Sequence, residues 1–165
     1  MRQGIKNLLW MGGLIGCMLV SAGCEKTNVQ QQTPPIPTQK STMETLSIYT
    51  IDSDSMTLVP VTVKKKPGKV TPVYVASLVN ESLDDDTIRL SHVEQKSDRI
   101  IVSFKKNSKP LTGCSKKMET LILDCFANSL LDNLDGCKKV VFRCENKAYK
   151  SSNYSLKINE VYASE

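Results

Sequence analysis

The stretch from Arg99 to Asn146, RIIVSFKKNSKPLTGCSKKMETLILDCFANSLLDNLDGCKKVVFRCEN, decides the fold because it predicts a strand, a long helix and a second strand. β-Branched and polar residues alternate over Arg99–Lys105, which is the period of a strand. Apolar residues recur at helical spacing over Ser115–Leu134, and Asp135-Gly136 ends that pattern. The strand period returns over Lys138–Cys144.

The predicted helix in this stretch carries two adjacent apolar stripes, an arc wider than the roughly 100° that packing on one sheet face requires. The stripes comprise Leu123, Phe126, Ala127, Leu130 and Leu134, and Met118, Leu121, Ile122 and Cys125. Such a helix either packs deeply inside its own domain or meets another subunit with part of the arc. The sequence leaves both explanations open.

Upstream, Thr45–Ile51 alternates as a strand, and Thr57–Val63 is its expected hairpin partner, which Pro60 confines to a sheet edge or a bulge. Thr71-Pro72 opens a first helix, with Thr71 as its N-cap. The acidic run Asp84-Asp-Asp86 ends that helix. This run resembles half a calcium loop but lacks the spaced ligands and the closing Glu.

A further strand is expected at Ile88–Glu94, with Ile88, Leu90, His92 and Glu94 on one side, before the chain turns back into Ile100–Phe104. Glu145-Asn-Lys147 is expected to form a turn in which Asn146 adopts the left-handed conformation. Alternation over Tyr154–Tyr162 predicts a last strand that closes the sheet. The resulting fold class is α+β, a mixed sheet with two helices packed on one face in the order ββ-α-ββ-α-ββ.

The first 23 residues have the organisation of a secretory signal. Arg2 and Lys6 are basic, Leu8–Val20 is apolar, and the small residues Ser21, Ala22 and Gly23 follow. The apolar run is shorter than the ~20 residues that a membrane-spanning helix needs. A plain membrane anchor is the alternative interpretation of the same segment.

The segment Val20-Ser21-Ala22-Gly23-Cys24 resembles a bacterial lipobox, except that Ser21 stands where Leu is usual. The resemblance implies lipid attachment at Cys24, with two or three acyl chains such as palmitate holding the mature N-terminus in the membrane. Leu14-Ile15-Gly16-Cys17 is a rival site, but it leaves an apolar region of only about eight residues before the cysteine. Cys24 is therefore the predicted attachment site, on the extracytoplasmic face of the cell membrane.

Residues 24–43 comprise the predicted lipidated cysteine and a linker, because Gln30–Lys40 is rich in Gln and Pro and too poor in apolar residues to fold. A flexible linker of this length has a root-mean-square span of about 24 Å and reaches about 60 Å when fully extended. The folded domain is predicted over residues 44–165.

The formal charge of the chain is +5, and removal of Arg2 and Lys6 with the signal leaves +3. Most of the excess lies in lysine runs: Lys64–Lys66, Lys105–Lys106, Lys116–Lys117 and Lys138–Lys139. These runs are either solvated surface or contacts for anionic phosphate, in lipid headgroups or wall polymer. Nucleic acid is excluded as a partner for a chain that leaves the cytosol.

Four cysteines lie beyond the signal and the lipobox, at Cys114, Cys125, Cys137 and Cys144. The four cysteines can form two disulfides in three ways. Each way includes a bond between cysteines that are separated by more than two helical turns or by a whole strand, whereas a disulfide needs Cα atoms within about 7 Å. At most one bond, Cys125–Cys144 or Cys114–Cys144, is expected, and the thiols are otherwise expected to be free. The absence of a CxxC pair or a His cluster predicts no metal site.

His92 is the only histidine, and no Ser, Cys or Asp forms a recognisable nucleophile motif with it. We expect it to be a partly exposed structural residue. The sequence therefore predicts no enzyme, with no catalytic residue and no cofactor.

Several local motifs resemble the GerMN (sporulation and spore germination) domain family over Thr45–Tyr162. They are Leu46–Tyr49, Leu58-Val-Pro60, Thr71-Pro72, Arg99–Phe104, and Asn128-Ser-Leu130 leading through Gly136 to Lys138–Phe142. Cys137 departs from the usual aliphatic residue, and Asn146 departs from the usual Gly of the strand turn.

The resemblance implies a membrane-tethered domain on the outer face of the cytoplasmic membrane of spore-forming bacteria, where studied members look like ring-building scaffolds. It implies no catalytic residues. The expected partners are the membrane, through the lipid anchor, and envelope or sporulation proteins, including a second copy of the chain itself. The alternative function is a binding module for cell-wall fragments or anionic wall polymer.

Overall fold

Two helices and six strands follow one another over residues 44–163, the part of the chain that the computed structural model describes. In chain order they are β1 (Thr45–Asp52), β2 (Thr57–Lys64), α1 (Pro72–Leu83), β3 (Leu90–Lys96), β4 (Arg99–Phe104), α2 (Lys116–Asn133), β5 (Lys139–Cys144) and β6 (Lys147–Ala148). This order confirms the predicted α+β class and the arrangement ββ-α-ββ-α-ββ.

The described strands lie in two sheets, where the sequence predicts one mixed sheet. β1 and β2 form an antiparallel pair, and the other four strands are ordered β3-β4-β5-β6. β4 and β5 run parallel, with α2 as their crossover connection, and the remaining pairs are antiparallel. α1 and α2 contact each other, and both contact β1.

Side chains of α2 explain why β1 does not join the larger sheet. The Ser47 amide donates to Asn133 Oδ1 (3.1 Å), and Asn133 Nδ2 donates to the Ser47 carbonyl (2.7 Å). One turn earlier on the helix, Ser129 Oγ accepts from the Tyr49 amide (2.8 Å). These contacts occupy backbone groups of β1 that a neighbouring strand would otherwise use. Pro60 lies opposite Tyr49 on β2, whose other side is a sheet edge, as predicted.

Both helices begin and end where the sequence predicts. The Thr71 hydroxyl accepts from the Tyr74 amide (3.2 Å), and Pro72 is the first residue of α1. Ser115 caps α2 by accepting from the Met118 amide (3.3 Å). At the other end of α1, Asp84 adopts the left-handed conformation of a C-cap.

The core forms around α2, and both of its apolar stripes contribute to it. Ile122, Leu123, Cys125, Phe126, Ala127 and Leu130 are buried, in one cluster with residues of α1, β1, β4 and β5. The Phe104 ring meets Phe126 edge-on at 5.5 Å and lies 6.0 Å from Phe142. All residues of the two stripes except Leu121, which lines a surface pocket, pack against the domain's own core, so the structure favours the deeply packed helix over the subunit contact.

The predicted side-chain alternation in β3 is wrong. Ser91 is an extra residue between two registers, since Leu90 pairs with Phe104 whereas His92 pairs with Ser103. A bulge reverses the alternation that follows it. Leu90 and Val93 therefore both pack against the core, and the strand runs to Lys96 rather than ending at Glu94.

The predicted strand over Tyr154–Tyr162 is also wrong. The described part of this segment forms only isolated bridges, one of which joins Tyr162 to Val140. A turn interrupts it, because Glu160 bonds back to Lys157 through both its amide and its carboxylate. The last regular strand is the two-residue β6. In the turn before β6, Glu145 rather than Asn146 has the positive φ, at 54°.

Candidate functional site

The predicted lipid attachment site at Cys24 and its rival Cys17 lie outside the described residues, as do the signal and the linker. The surfaces considered below belong to residues 44–163. No helix in this range is long and apolar enough to cross a bilayer.

The described surface has a groove of about 540 Å³ between α1 and β3. Val73, Ser77 and Glu81 line it from α1 because residues four apart share a helix face. Leu90 and Val93 line it from β3, where the bulge has placed both on the core side.

The groove has an apolar floor and a rim of mixed charge. Val73 is 59% exposed, the largest exposure among the described large apolar side chains, whereas Ile88 beneath it is buried. The charged lining residues are Glu81, Asp86, Arg89 and Lys105, and the imidazole of His92 lies beside them. Oδ1 of Asn80, which also lines the groove, is buried and has no hydrogen-bond partner among the described residues. An apolar floor with a mixed rim suits a protein segment better than a small ion.

β3, which forms one side of the groove, is the outer strand of the four-stranded sheet. Lys96 and Arg99 flank a two-residue turn and form a hydrogen-bonded pair. Because every second residue of an antiparallel strand bonds to its partner strand, Glu94 also bonds to β4. The backbone groups of Val93 and Gln95 consequently point away from β4. The groove therefore adjoins a sheet edge of the kind that can accept an extended segment.

A buried carboxylate ties the C-terminal segment to α2. Glu119, in the first turn of the helix, is 0% exposed and accepts from Tyr149 Oη (2.6 Å) and Asn153 Nδ2 (2.7 Å). The helix N-terminus favours negative charge at this position. Burial and the bond to Glu119 raise the pKa of Tyr149, so the phenol remains a donor. Sequence periodicity does not predict this pair, because it does not link residues 30 apart.

Two more tyrosines fasten the same segment along α2. Tyr154 Oη lies 2.6 Å from Thr120 Oγ1, and Tyr162 Oη donates to Asp124 Oδ1 (3.0 Å). The Lys116 ammonium lies 5.6 Å from the centre of the Tyr154 ring. The polar face of α2 thus holds the chain end in place of the predicted strand pairing.

The four cysteines of the described part are free thiols, and neither candidate disulfide is formed. Cys114 Sγ lies 3.2 Å from the Pro110 carbonyl oxygen. Burial raises the pKa of all four thiols, for Cys125 to about 12. Since the thiolate is the reactive form, these positions are poorly suited to nucleophilic chemistry at neutral pH.

His92 lies at the groove rim with a half-exposed side chain, and its Nε2 is 3.5 Å from Glu94 Oε2. Asp85, in the acidic run after α1, accepts from Lys109 Nζ (2.8 Å) and from Thr87. These bonds lower the pKa of Asp85 to about 2. No group of three or more His, Cys, Asp or Glu within residues 44–163 is arranged to hold a metal ion.

Several lysines are committed to ion pairs within the domain. Lys65 pairs with Glu44, Lys109 with Asp85, and Lys139 with Asp98. Lys96 adds a fourth pair, with Glu94. Only part of the positive charge counted in the sequence is therefore available to an external partner.

Comparison of the chain with protein-family models, with curated proteins and with solved structures found no match.

Proposed function

We propose that the chain is a membrane-anchored, extracytoplasmic lipoprotein whose folded domain acts as a non-enzymatic scaffold of the cell envelope. The sequence of the predicted signal, the resemblance to a lipobox at Cys24 and the Gln- and Pro-rich composition of the predicted linker support the anchor. The resemblance to the GerMN family supports the scaffold role and an association with sporulation or germination.

The observation that carries the scaffold role is the groove between α1 and β3. Apart from Leu121, α2 packs its apolar arc inside the domain, so this helix offers little apolar surface to a partner. The groove combines the exposed Val73, a floor of half-buried apolar side chains and an adjoining sheet edge at Val93 and Gln95. An extended segment of an envelope protein would pair its backbone with that edge and seat apolar side chains on the floor.

Photocrosslinking in the producing cells tests this assignment. A photoreactive phenylalanine analogue replaces Val73 in the groove, and the matched control places it at Val61, an exposed valine of β2. We expect an adduct at position 73 and none at position 61, and mass spectrometry of the adduct identifies the partner. Equal adduct yields at the two positions, or none at either, would contradict the groove as the contact surface.

The mass of the mature protein extracted from membranes tests the anchor separately. We expect the chain to begin at an acylated Cys24. Cys24→Ser should leave an unprocessed, unacylated protein, whereas Cys17→Ser should be acylated normally. Release of an unacylated wild-type chain into the medium would refute the lipoprotein assignment.

A further inference from the structure

The linker enters the domain beside a lysine-rich loop. Glu44, the first described residue, accepts the Lys65 amide through its carbonyl (3.0 Å), and its carboxylate pairs with the Lys65 ammonium. Thr45, the first residue of β1, lies opposite Lys64, the last residue of β2. We call this side of the domain, with the loop from Lys64 to Lys69, the entry end.

Three lysines of this loop are exposed. Lys64, Lys66 and Lys69 form no ion pair with another residue of 44–163, whereas Lys65 is occupied by Glu44. The Lys66 amide donates to Tyr74 Oη (3.0 Å), which fixes the loop against the start of α1. The loop therefore presents its ammonium groups from a defined position.

The C-terminus of α2 adds a fourth lysine to the entry end. Asn133, the last residue of α2, bonds to Ser47 near the start of β1. Lys138 follows within five residues of Asn133 and is exposed, without an ion pair in the described range. Its amide donates to the Asp98 carbonyl (2.8 Å), at the turn that precedes β4.

The acidic groups at the entry end do not cancel these lysines. Glu44 and Asp98 are each paired with another lysine, Lys65 and Lys139. Asp132 accepts from Tyr49 Oη (2.9 Å), and Asp135 is exposed. Among residues 44–163, these two remaining carboxylates stand against four ammonium groups without an ion pair, so the described part of this end has a positive excess.

The opposite end of the hairpin and of α1 is acidic. Asp52 ends β1, Asp54 lies in the turn that follows it, and Asp84–Asp86 follow α1. Thr50 Oγ1 donates to the Ser82 carbonyl (2.9 Å), which places the two acidic segments side by side. An eight-residue strand such as β1 separates the two ends by about 26 Å. This half of the domain is thus basic where the linker enters and acidic away from it.

We infer that the entry end, through Lys64, Lys66, Lys69 and Lys138, docks on anionic lipid headgroups of the membrane that holds the anchor. This inference rests on the proposed lipoprotein anchor. A flexible chain with the length of the predicted linker would leave the domain a root-mean-square distance of about 24 Å from its anchor, well beyond the screening length of about 8 Å at physiological salt. A basic surface at the entry point draws the domain to the headgroups, with a gain of about fivefold in local occupancy per lysine.

Acetylation footprinting on vesicles tests the docking with controls in the same molecule. The full acylated chain is reconstituted into vesicles of phosphatidylcholine alone, or of equal parts phosphatidylcholine and phosphatidylglycerol. A water-soluble acetylating reagent is added, and mass spectrometry gives the acetylation rate of each lysine. Lys116 and Lys117 are the internal controls, because they begin α2, the end of that helix away from Asn133.

We expect acetylation of the four entry-end lysines to be about fivefold slower on the anionic vesicles, with the difference lost at about 1 M salt, where the screening length is about 3 Å. Lys116 and Lys117 should react equally on both vesicles. Equal rates for the entry-end lysines on both vesicles, or the same slowing at the control lysines, would overturn the docking.

A variant pair separates this surface from overall charge. Lys66→Gln combined with Lys69→Gln removes two of the four contributions, each about fivefold, and should therefore reduce the slowing at Lys64 and Lys138. The matched double variant, Lys117→Gln with Lys106→Gln, loses the same charge and should leave the slowing intact. If the two double variants behave alike, the entry end is not the docking surface.

Flotation of the same samples separates failure of the inference from failure of the proposed function. A chain that floats with both kinds of vesicle but shows no protection is anchored without docking, so only the inference fails. A chain that floats with neither has no anchor, and both statements fail.

Discussion

The hydrogen bonds to the buried carboxylate of Glu119 should contribute measurably to stability. Tyr149→Phe removes one of the two hydrogen-bond donors to Glu119 while keeping a ring of nearly the same size. The ring contacts of residue 149 with Phe104 and Phe142, at centroid distances of 6.3 and 6.4 Å, remain possible for Phe. The substitution therefore isolates the hydroxyl from the packing.

The expected cost follows from the geometry of that bond. It is short, at 2.6 Å, and it ends on a side chain with no solvent exposure, so water cannot replace the lost donor. A hydrogen bond to a charged group contributes about 1.5–3 kcal/mol to folding stability. We expect Tyr149→Phe to lower the free energy of unfolding by about 2 kcal/mol, and the melting temperature by about 5–10 °C.

Urea denaturation followed by circular dichroism measures this change, with Tyr154→Phe as the matched control. Tyr154 loses a neutral bond to Thr120 at a half-buried position, for which about 0.5–1 kcal/mol is expected. If Tyr149→Phe costs no more than Tyr154→Phe, the carboxylate does not depend on the phenol, and the account of the C-terminal segment is refuted.

Three further predictions concern other contacts. Asn133→Ala should lower the free energy of unfolding, measured by urea denaturation, by about 2–3 kcal/mol, because it removes the side-chain partners of the Ser47 amide and carbonyl. A decrease below about 0.5 kcal/mol would show that α2 does not protect β1. Lys109 and Thr87 lower the pKa of Asp85 to about 2. The ionised carboxylate therefore stabilises the folded state above about pH 4, by about 1 kcal/mol after solvent screening, and this stabilisation is lost as the pH falls to 2. Melting curves of wild type and Asp85→Asn should therefore converge near pH 2, and a constant gap would contradict the ion pair. An aromatic disulfide reagent at pH 8 should label Cys125 only in denaturant, because burial raises the pKa of its thiol to about 12; rapid labelling of the native protein would exclude that burial.

Local chemistry explains which parts of the fold could be predicted from the sequence. Thr71 and Ser115 cap the helices because a hydroxyl in that position satisfies an amide at the start of a helix whatever surrounds it. The strand–helix–strand order around α2 follows from periodicity, which depends only on neighbours in the chain. Pro60 indicates an edge because it lacks an amide proton.

The errors in β3 and at the C-terminus have a different origin. The bulge at Ser91 arises from the register of β3 against β4, which cannot be predicted from the sequence of β3 alone. Alternation over Tyr154–Tyr162 looks like a strand, but this segment bonds to α2 through Tyr154 and Tyr162 and forms only bridges. A strand needs a partner of matching length, and the tertiary arrangement did not supply one.

The sequence alone predicts the signal and the lipobox and shows the clustering of lysines, because these depend on residue type and order. Only the tertiary structure decided that α2 packs its apolar arc, apart from Leu121, within the domain, that α1 and β3 form a groove, and that Lys138 lies at the same end as Lys64–Lys69. Each of these relations joins residues far apart in the chain. The distances between these residues are set by packing between helices and sheets, which local sequence patterns do not predict.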